Sequence, residues 1–263
     1  MNTLLSIRGL TVSYRKGKDK FLALDEVSLD IGEGEVFGIA GESGSGKSTL
    51  ALAILGMLPF LGAEISGEIS FQGRAIGELS EKDLRRIRGK EISLVSQNPW
   101  GTLDPLYRVG YQLEEFVMAH TALGRKERRE LVQQALIDSQ LPGDEAFMKL
   151  YPHQLSGGML QRISIAMGTA LSPQLLVADE PTSSLDVTTQ AEIVRLLKKM
   201  RLKKNTSIVF ISHDLALLSQ ICDKIAIIKR GRIVESGSTR EIFTNPQNAY
   251  TKSLIEAIPK VEL

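Results

Sequence analysis

The chain of 263 residues holds a single cysteine, Cys222. One thiol cannot close an internal disulfide, and it leaves no cysteine cluster for zinc or iron–sulfur ligation. An excess of one charge sign is also missing, because 32 Lys and Arg against 31 Asp and Glu give a formal net charge of +1. No bulk field therefore directs the chain to nucleic acid or to an anionic membrane. Basic clusters at 85–88, 125–129 and 198–204 are interleaved with apolar positions and read as solvated helix faces. The longest apolar run, 49–63, is too short to span a bilayer and is broken by Pro59; a buried helix is expected there. Residues 1–10 lack an apolar core with a cleavage site, so no secretory signal is expected and the chain is read as cytosolic. There is no internal repeat and no low-complexity linker. Hydrophobic residues at 43% and charged residues at 24% are ordinary for a globular protein. The length admits one large α/β domain or two small ones.

Against these absences stands residues 41–48, G-E-S-G-S-G-K-S, directly after the apolar stretch Val36–Ala40. The pattern G-x-x-x-x-G-K-[ST] between a buried strand and a helix is a phosphate-binding loop. Backbone N–H groups must wrap a polyphosphate, which favours the small Gly41, Gly44 and Gly46. A helix starting near Lys47 adds its positive end. Lys47 supplies a point charge for the outer phosphates, and Ser48 a hydroxyl for Mg²⁺. The bland alternative, a glycine-rich turn, is disfavoured by the flanking strand and by the apolar Leu50, Ala51, Ile54 and Leu55 after it.

The surrounding chain alternates between strands and helices. Leu5, Ile7, Leu10 and Val12 read as one strand, and Leu22, Leu24, Val27 and Leu29 as another. Val36–Ala40 and residues 92–96 are short apolar runs of the parallel-sheet kind, and 68–71 reads as a short strand ending at Gln72-Gly73. From about 108 to 172 the period is helical, entered through a structured loop at 98–107. Strands return at 175–178, 207–211 and 225–228 with helices between them, which implies a mainly parallel sheet covered on both sides.

The strand at 175–178 ends in Asp179-Glu180. A buried strand places two terminal carboxylates at its polar end, where Asp179 suits Mg²⁺ coordination and Glu180 suits orienting and polarising an attacking water. Alone, the pair would read as surface acids. A second glycine-rich helix start follows Leu155: Ser156, Gly157 and Gly158 make a bare positive helix N-terminus. It reads either as an ordinary helix cap or, since one phosphate loop already serves one nucleotide, as a site for phosphate from another subunit.

At this point the chain resembles the ABC-type ATPases. Residues 155–162, L-S-G-G-M-L-Q-R, look like their signature motif, with Gln161 inside it. Gln97 looks like the Q-loop glutamine, Ser184-Leu185-Asp186 like the D-loop, and His213 like the switch histidine that contacts the γ-phosphate. Tyr14 resembles the aromatic residue that stacks on adenine. The resemblance implies ATP bound by Tyr14 and by residues 41–49, including Glu42, Ser43, Ser45 and Thr49. It further implies Mg²⁺ held by Ser48, Gln97 and Asp179, and catalysis by Glu180, His213 and Gln97. The implied fold is one RecA-like, mainly parallel core with an N-terminal antiparallel β subdomain, a helical signature subdomain at about 98–172 and a short family tail at about 240–263.

The segment 97–105, the residues 150–154 and the tail 245–259 resemble the ATPases of peptide and nickel importers. Asn98 and Asp104 stand where that group more often has Asp and Asn. The stop soon after Pro259, where many peptide-importer ATPases continue into a cysteine-bearing extension, leans toward a nickel-type member. The implied partners are a second ATPase subunit (a sister chain rather than an identical copy), two membrane-spanning permeases docking near 98–112, and an extracytoplasmic binding protein acting through them. No nucleic acid is expected, and the implied location is the cytoplasmic face of the membrane. The rival classes are an ABC ATPase acting on DNA or the ribosome, which usually carries zinc cysteines, a coiled-coil insertion or two ATPase units, and a phosphate-loop kinase, which leaves residues 156–161, Glu180 and His213 unexplained.

Overall fold

The computed structural model describes residues 2–17 and 19–258. Lys18 and residues 259–263, the end of the expected family tail, lie outside the described residues. In chain order, β1 (Thr3–Lys16) and β2 (Asp19–Gly32) form an antiparallel hairpin. They are followed by β3 (Val36–Ala40), α1 (Lys47–Ile54), β4 (Glu64–Phe71), β5 (Arg74–Ala75) and α2 (Glu81–Ile87). The middle holds β6 (Ile92–Val95), α3 (Val109–His120), α4 (Arg125–Asp138), α5 (Glu145–Met148), α6 (Gly157–Thr169), β7 (Leu175–Asp179) and α7 (Val187–Lys204). The last stretch is β8 (Ser207–Ser212), α8 (Leu215–Ile221), β9 (Lys224–Lys229), β10 (Arg232–Ser238), α9 (Thr239–Thr244) and α10 (Ala249–Glu256). No helix among the described residues is long and apolar enough to cross a membrane.

The chain divides into two compact units, residues 1–84 with 207–263, and residues 85–206. In the first, β2, β1, β4 and β5 make an antiparallel sheet, while β3 runs parallel to β8 on one side and β9 on the other, with β10 antiparallel at the edge. β3 is buried at every position, as expected of a strand covered on both faces. In the second unit β6 pairs in parallel with β7. Its helices close a core of their own, in which Val109, Leu113, Val117, Val132, Leu136 and Leu160 meet. The expected helical segment 98–172 falls inside this unit.

Two expectations need correction. The apolar run 49–63 is not one buried helix. α1 stops at Ile54, where Gly56 takes φ 64° and the bonds Gly56 N–H to Ala53 O (2.9 Å) and Met57 N–H to Leu52 O (2.9 Å) close a Schellman end. The chain then turns through a short 3-10 segment that leaves Phe60 62% exposed. The strand read at 68–71 begins earlier, at Glu64, because its first half is exposed and lacks a clear apolar alternation. β10 and α9 carried no recognised pattern, and α10 was read only as part of the tail 245–259.

Candidate functional site

In the first unit, β3 delivers the chain into the loop 41–48. Gly46 caps α1 at φ 107°, a conformation that L side chains rarely adopt. Packing restricts the loop as well. A Cβ on Gly46 would stand 2.5 Å from Ala23 O, and one on Gly41 2.2 Å from Ile228 O. The loop therefore rests on β2 and on the hairpin of β9 and β10, whose Gly231 donates its N–H to Ser45 O at 2.9 Å. Lys47 is 5% exposed, and its Nζ donates to Gly41 O at 2.8 Å and to Glu42 O at 2.9 Å, so the ammonium lies across the loop. Ser48 is exposed in the first turn of α1 and Thr49 half-buried beside it. His213 is exposed directly after β8, and its neighbour Asp214 caps α8 by accepting from Leu217 N–H at 3.0 Å. Tyr14 is half-buried near the β1–β2 turn, opposite Phe21.

The second unit holds the other predicted residues. Glu180 follows β7 with φ 46°, left-handed and uncommon for a non-glycine residue, which ends the strand and turns its side chain from the strand's course. Gln97 Nε2 donates to Glu180 Oε2 at 3.2 Å, although 83 positions separate them in sequence. A carboxylate only accepts, so the amide NH₂ must face it. Ser156 caps α6 by accepting from Met159 N–H at 3.3 Å. A Cβ on Gly157 would meet nothing within 4 Å, and one on Gly158 would come 3.1 Å from Thr189 Cγ2. Gln161 differs from these residues: it is 1% exposed and buried along α6, away from the exposed start of the helix.

Ser184 is exposed, and Asp186 caps α7 by accepting from Thr189 N–H at 3.0 Å and Thr189 Oγ1 at 2.7 Å. The Thr189 bonds hold the Asp186 carboxyl below the usual range. Gln190 Nε2 fixes the turn before it, donating to Thr182 O at 3.0 Å and Leu185 O at 3.1 Å. Asp179 carboxylate and Gln97 amide oxygen in the second unit, and Ser48 hydroxyl in the first, are each hard oxygen donors, the kind that suits Mg²⁺ better than a soft or imidazole-seeking metal. Sequence reasoning missed the support that the β9–β10 hairpin gives the loop. Its residues Ile228 and Gly231 lie far along the chain and carry no motif.

The family model described as ABC transporter matches residues 24–183. The chain is 40% identical over 257 residues to the dipeptide transport ATP-binding protein DppD of Escherichia coli, covering 98% of this chain and 79% of that one. It is 40% identical over 261 residues to the oligopeptide transport ATP-binding protein OppD of Salmonella typhimurium, covering 99% and 78%. Against the peptidoglycan transport ATP-binding protein YejF of Agrobacterium fabrum it is 42% identical over 260 residues, which is 98% of this chain but about half of that protein, 48%. Among solved structures, the dimeric post-hydrolysis state of the ATP-binding cassette MJ0796 bound to ADP and Pi superposes with TM-score 0.79 at 30% identity, covering 90% of this chain and 99% of that one. Identity sustained over this length reflects common descent and not only a shared loop: the chain belongs to the ABC transporter family.

Proposed function

We propose that the chain is the ATP-hydrolysing subunit of an ABC importer for peptides. The observation that carries the reading is the identity of about 40% with dipeptide and oligopeptide transport ATP-binding proteins over nearly the whole chain. The backbone N–H groups of 41–49 and the Lys47 ammonium bind the ATP phosphates, and Tyr14 stacks on the adenine. Ser48, Gln97 and Asp179 would hold Mg²⁺, which when bound neutralises charge on the phosphate oxygens. Glu180 orients the attacking water and accepts its proton, and His213 contacts the γ-phosphate.

Each ATP is shared between the loop of one ATPase subunit and Ser156, Gly157 and Gly158 of its partner, with Ser184 and Asp186 near the shared site. The dimeric cassette bound to ADP and Pi supports this arrangement. The burial of Gln161 gives it a packing role inside the signature helix. Two permeases dock on the surface at 98–112, where Trp100, Leu106, Tyr107 and Tyr111 are exposed. Gln97 immediately precedes this surface and bonds Glu180, so displacement there moves the water-activating carboxylate. An extracytoplasmic binding protein delivers cargo, and the assembly sits at the cytoplasmic face of the membrane with a sister ATPase. Nickel or another chelated metal is the alternative cargo.

The test is single-turnover hydrolysis in proteoliposomes holding the permeases, the second ATPase and the binding protein. Peptide-loaded binding protein should stimulate hydrolysis, and chelated nickel should not. Glu180→Gln should retain ATP and slow cleavage by about two orders of magnitude or more. Stimulation by nickel in place of peptide would reassign the cargo, and near-normal cleavage in the variant would remove Glu180 from the chemistry.

A further inference from the structure

The phosphate loop is held by a residue from the end of the chain. Tyr250, on α10, is 8% exposed, and its hydroxyl accepts the N–H of Glu42 at 3.3 Å across 208 positions of sequence. Glu42 is the second residue of the loop. Burial, reinforced by the Glu42 carboxylate, pushes the phenol's pKa up and keeps it a neutral donor.

The ring itself is fixed. Lys229 Nζ lies 4.1 Å from its centroid, and Asn248 Oδ1 caps α10 by accepting from Tyr250 N–H at 2.9 Å. The Glu235 carboxylate accepts Gln247 N–H at 2.7 Å and Asn248 N–H at 3.1 Å, tying the start of α10 to β10. Lys229 and Glu235 belong to the same hairpin whose Gly231 bonds Ser45. The hairpin and α10 thus brace the loop at two points, Ser45 and Glu42.

We propose that Tyr250 is a positioning residue for the phosphate loop, holding Glu42 through its backbone N–H so that the following amides meet the nucleotide's phosphates in place. The inference rests on the reading of 41–48 as the nucleotide site. Amides that are already aligned lose less freedom when phosphate arrives, so the brace acts on affinity. A residue that served only to pack α10 would act on stability.

Tyr250→Phe keeps the ring, the Lys229 contact and the volume, and deletes only the hydroxyl. With a fluorescent ATP analogue and Mg²⁺, the Kd of the purified chain should rise about fivefold at unchanged stoichiometry, the size expected for one lost hydrogen bond. Amide exchange in the ligand-free variant should quicken at Glu42 and its loop neighbours but not across β9 and β10. Unchanged Kd and unchanged exchange at Glu42 would overturn the proposal. A fall in binding stoichiometry at constant Kd, or exchange quickened throughout the tail, would also overturn it by assigning Tyr250 to packing. Wild type and Lys47→Ala serve as controls: if wild type does not bind, or both bind alike, the nucleotide reading fails, whereas loss in Lys47→Ala with no change in Tyr250→Phe rejects the Tyr250 proposal alone.

Discussion

Lys47 would serve both the proposed ligand and the loop. Its spacing marks it as a phosphate ligand, yet in the folded chain its Nζ also bonds the carbonyls of Gly41 and Glu42 and the side chain is almost covered. Lys47→Ala therefore removes a charge for the outer phosphates and two donors from the loop. Affinity for the fluorescent ATP analogue should fall at least about tenfold, since hydrogen bonds to charged groups are the strong ones. Thermal stability should fall by only a few degrees, because the lost bonds lie within one loop. Full affinity in the variant would remove Lys47 from the phosphate site. Glu180 and Gln97 make the complementary case, where a left-handed backbone and a 3.2 Å contact bring together two side chains that lie 83 positions apart in sequence.

At the scale of elements, the start of α6 is the most informative. Ser156 already caps it, so the helix does not need Gly157 and Gly158 for its own termination. The space around Gly157 is open, whereas Gly158 faces Thr189 on α7. Gly157→Asp is thus the cleaner probe. A carboxylate in the first turn complements the helix dipole and should leave the melting temperature equal or slightly higher. The same charge repels an incoming phosphate. Hydrolysis in the assembled transporter should drop at least about tenfold while the variant's own phosphate loop still binds the ATP analogue. Normal assembled turnover would assign this helix start to capping alone.

At the scale of the whole molecule, the residues of the proposed chemistry divide between the two units: the loop, Tyr14 and His213 lie in one, and Gln97, Asp179, Glu180 and the start of α6 in the other. If each ATP is completed by a second subunit, turnover per chain depends on the concentration of the pairing chain. ATPase assays of the purified chain across a dilution series, with and without the sister chain, should show specific activity rising with concentration of one of them. Constant specific activity down to dilutions at which the chain is monomeric by light scattering would reject the shared site.

Sequence by itself determined the parts whose physics is local. Residues 41–48 read as a phosphate loop because the glycines, the lysine and the serine lie within one short stretch of chain. The buried strands β3, β7, β8 and β9 were legible because parallel strands covered on both faces read as short apolar runs. Ser156 sits at a helix start where its side chain reaches only three residues onward. The end of α1 was misread because composition continues apolar through 49–63 while the Schellman bonds at Gly56 stop the helix. β10 was missed because an edge strand with polar, half-exposed positions has little alternation to show. Only tertiary structure decided that Gln161 is buried, that Gln97 meets Glu180, and that Tyr250 and Gly231 hold the phosphate loop. Those contacts join residues from distant parts of the chain, and they exist only after the strands and helices have packed.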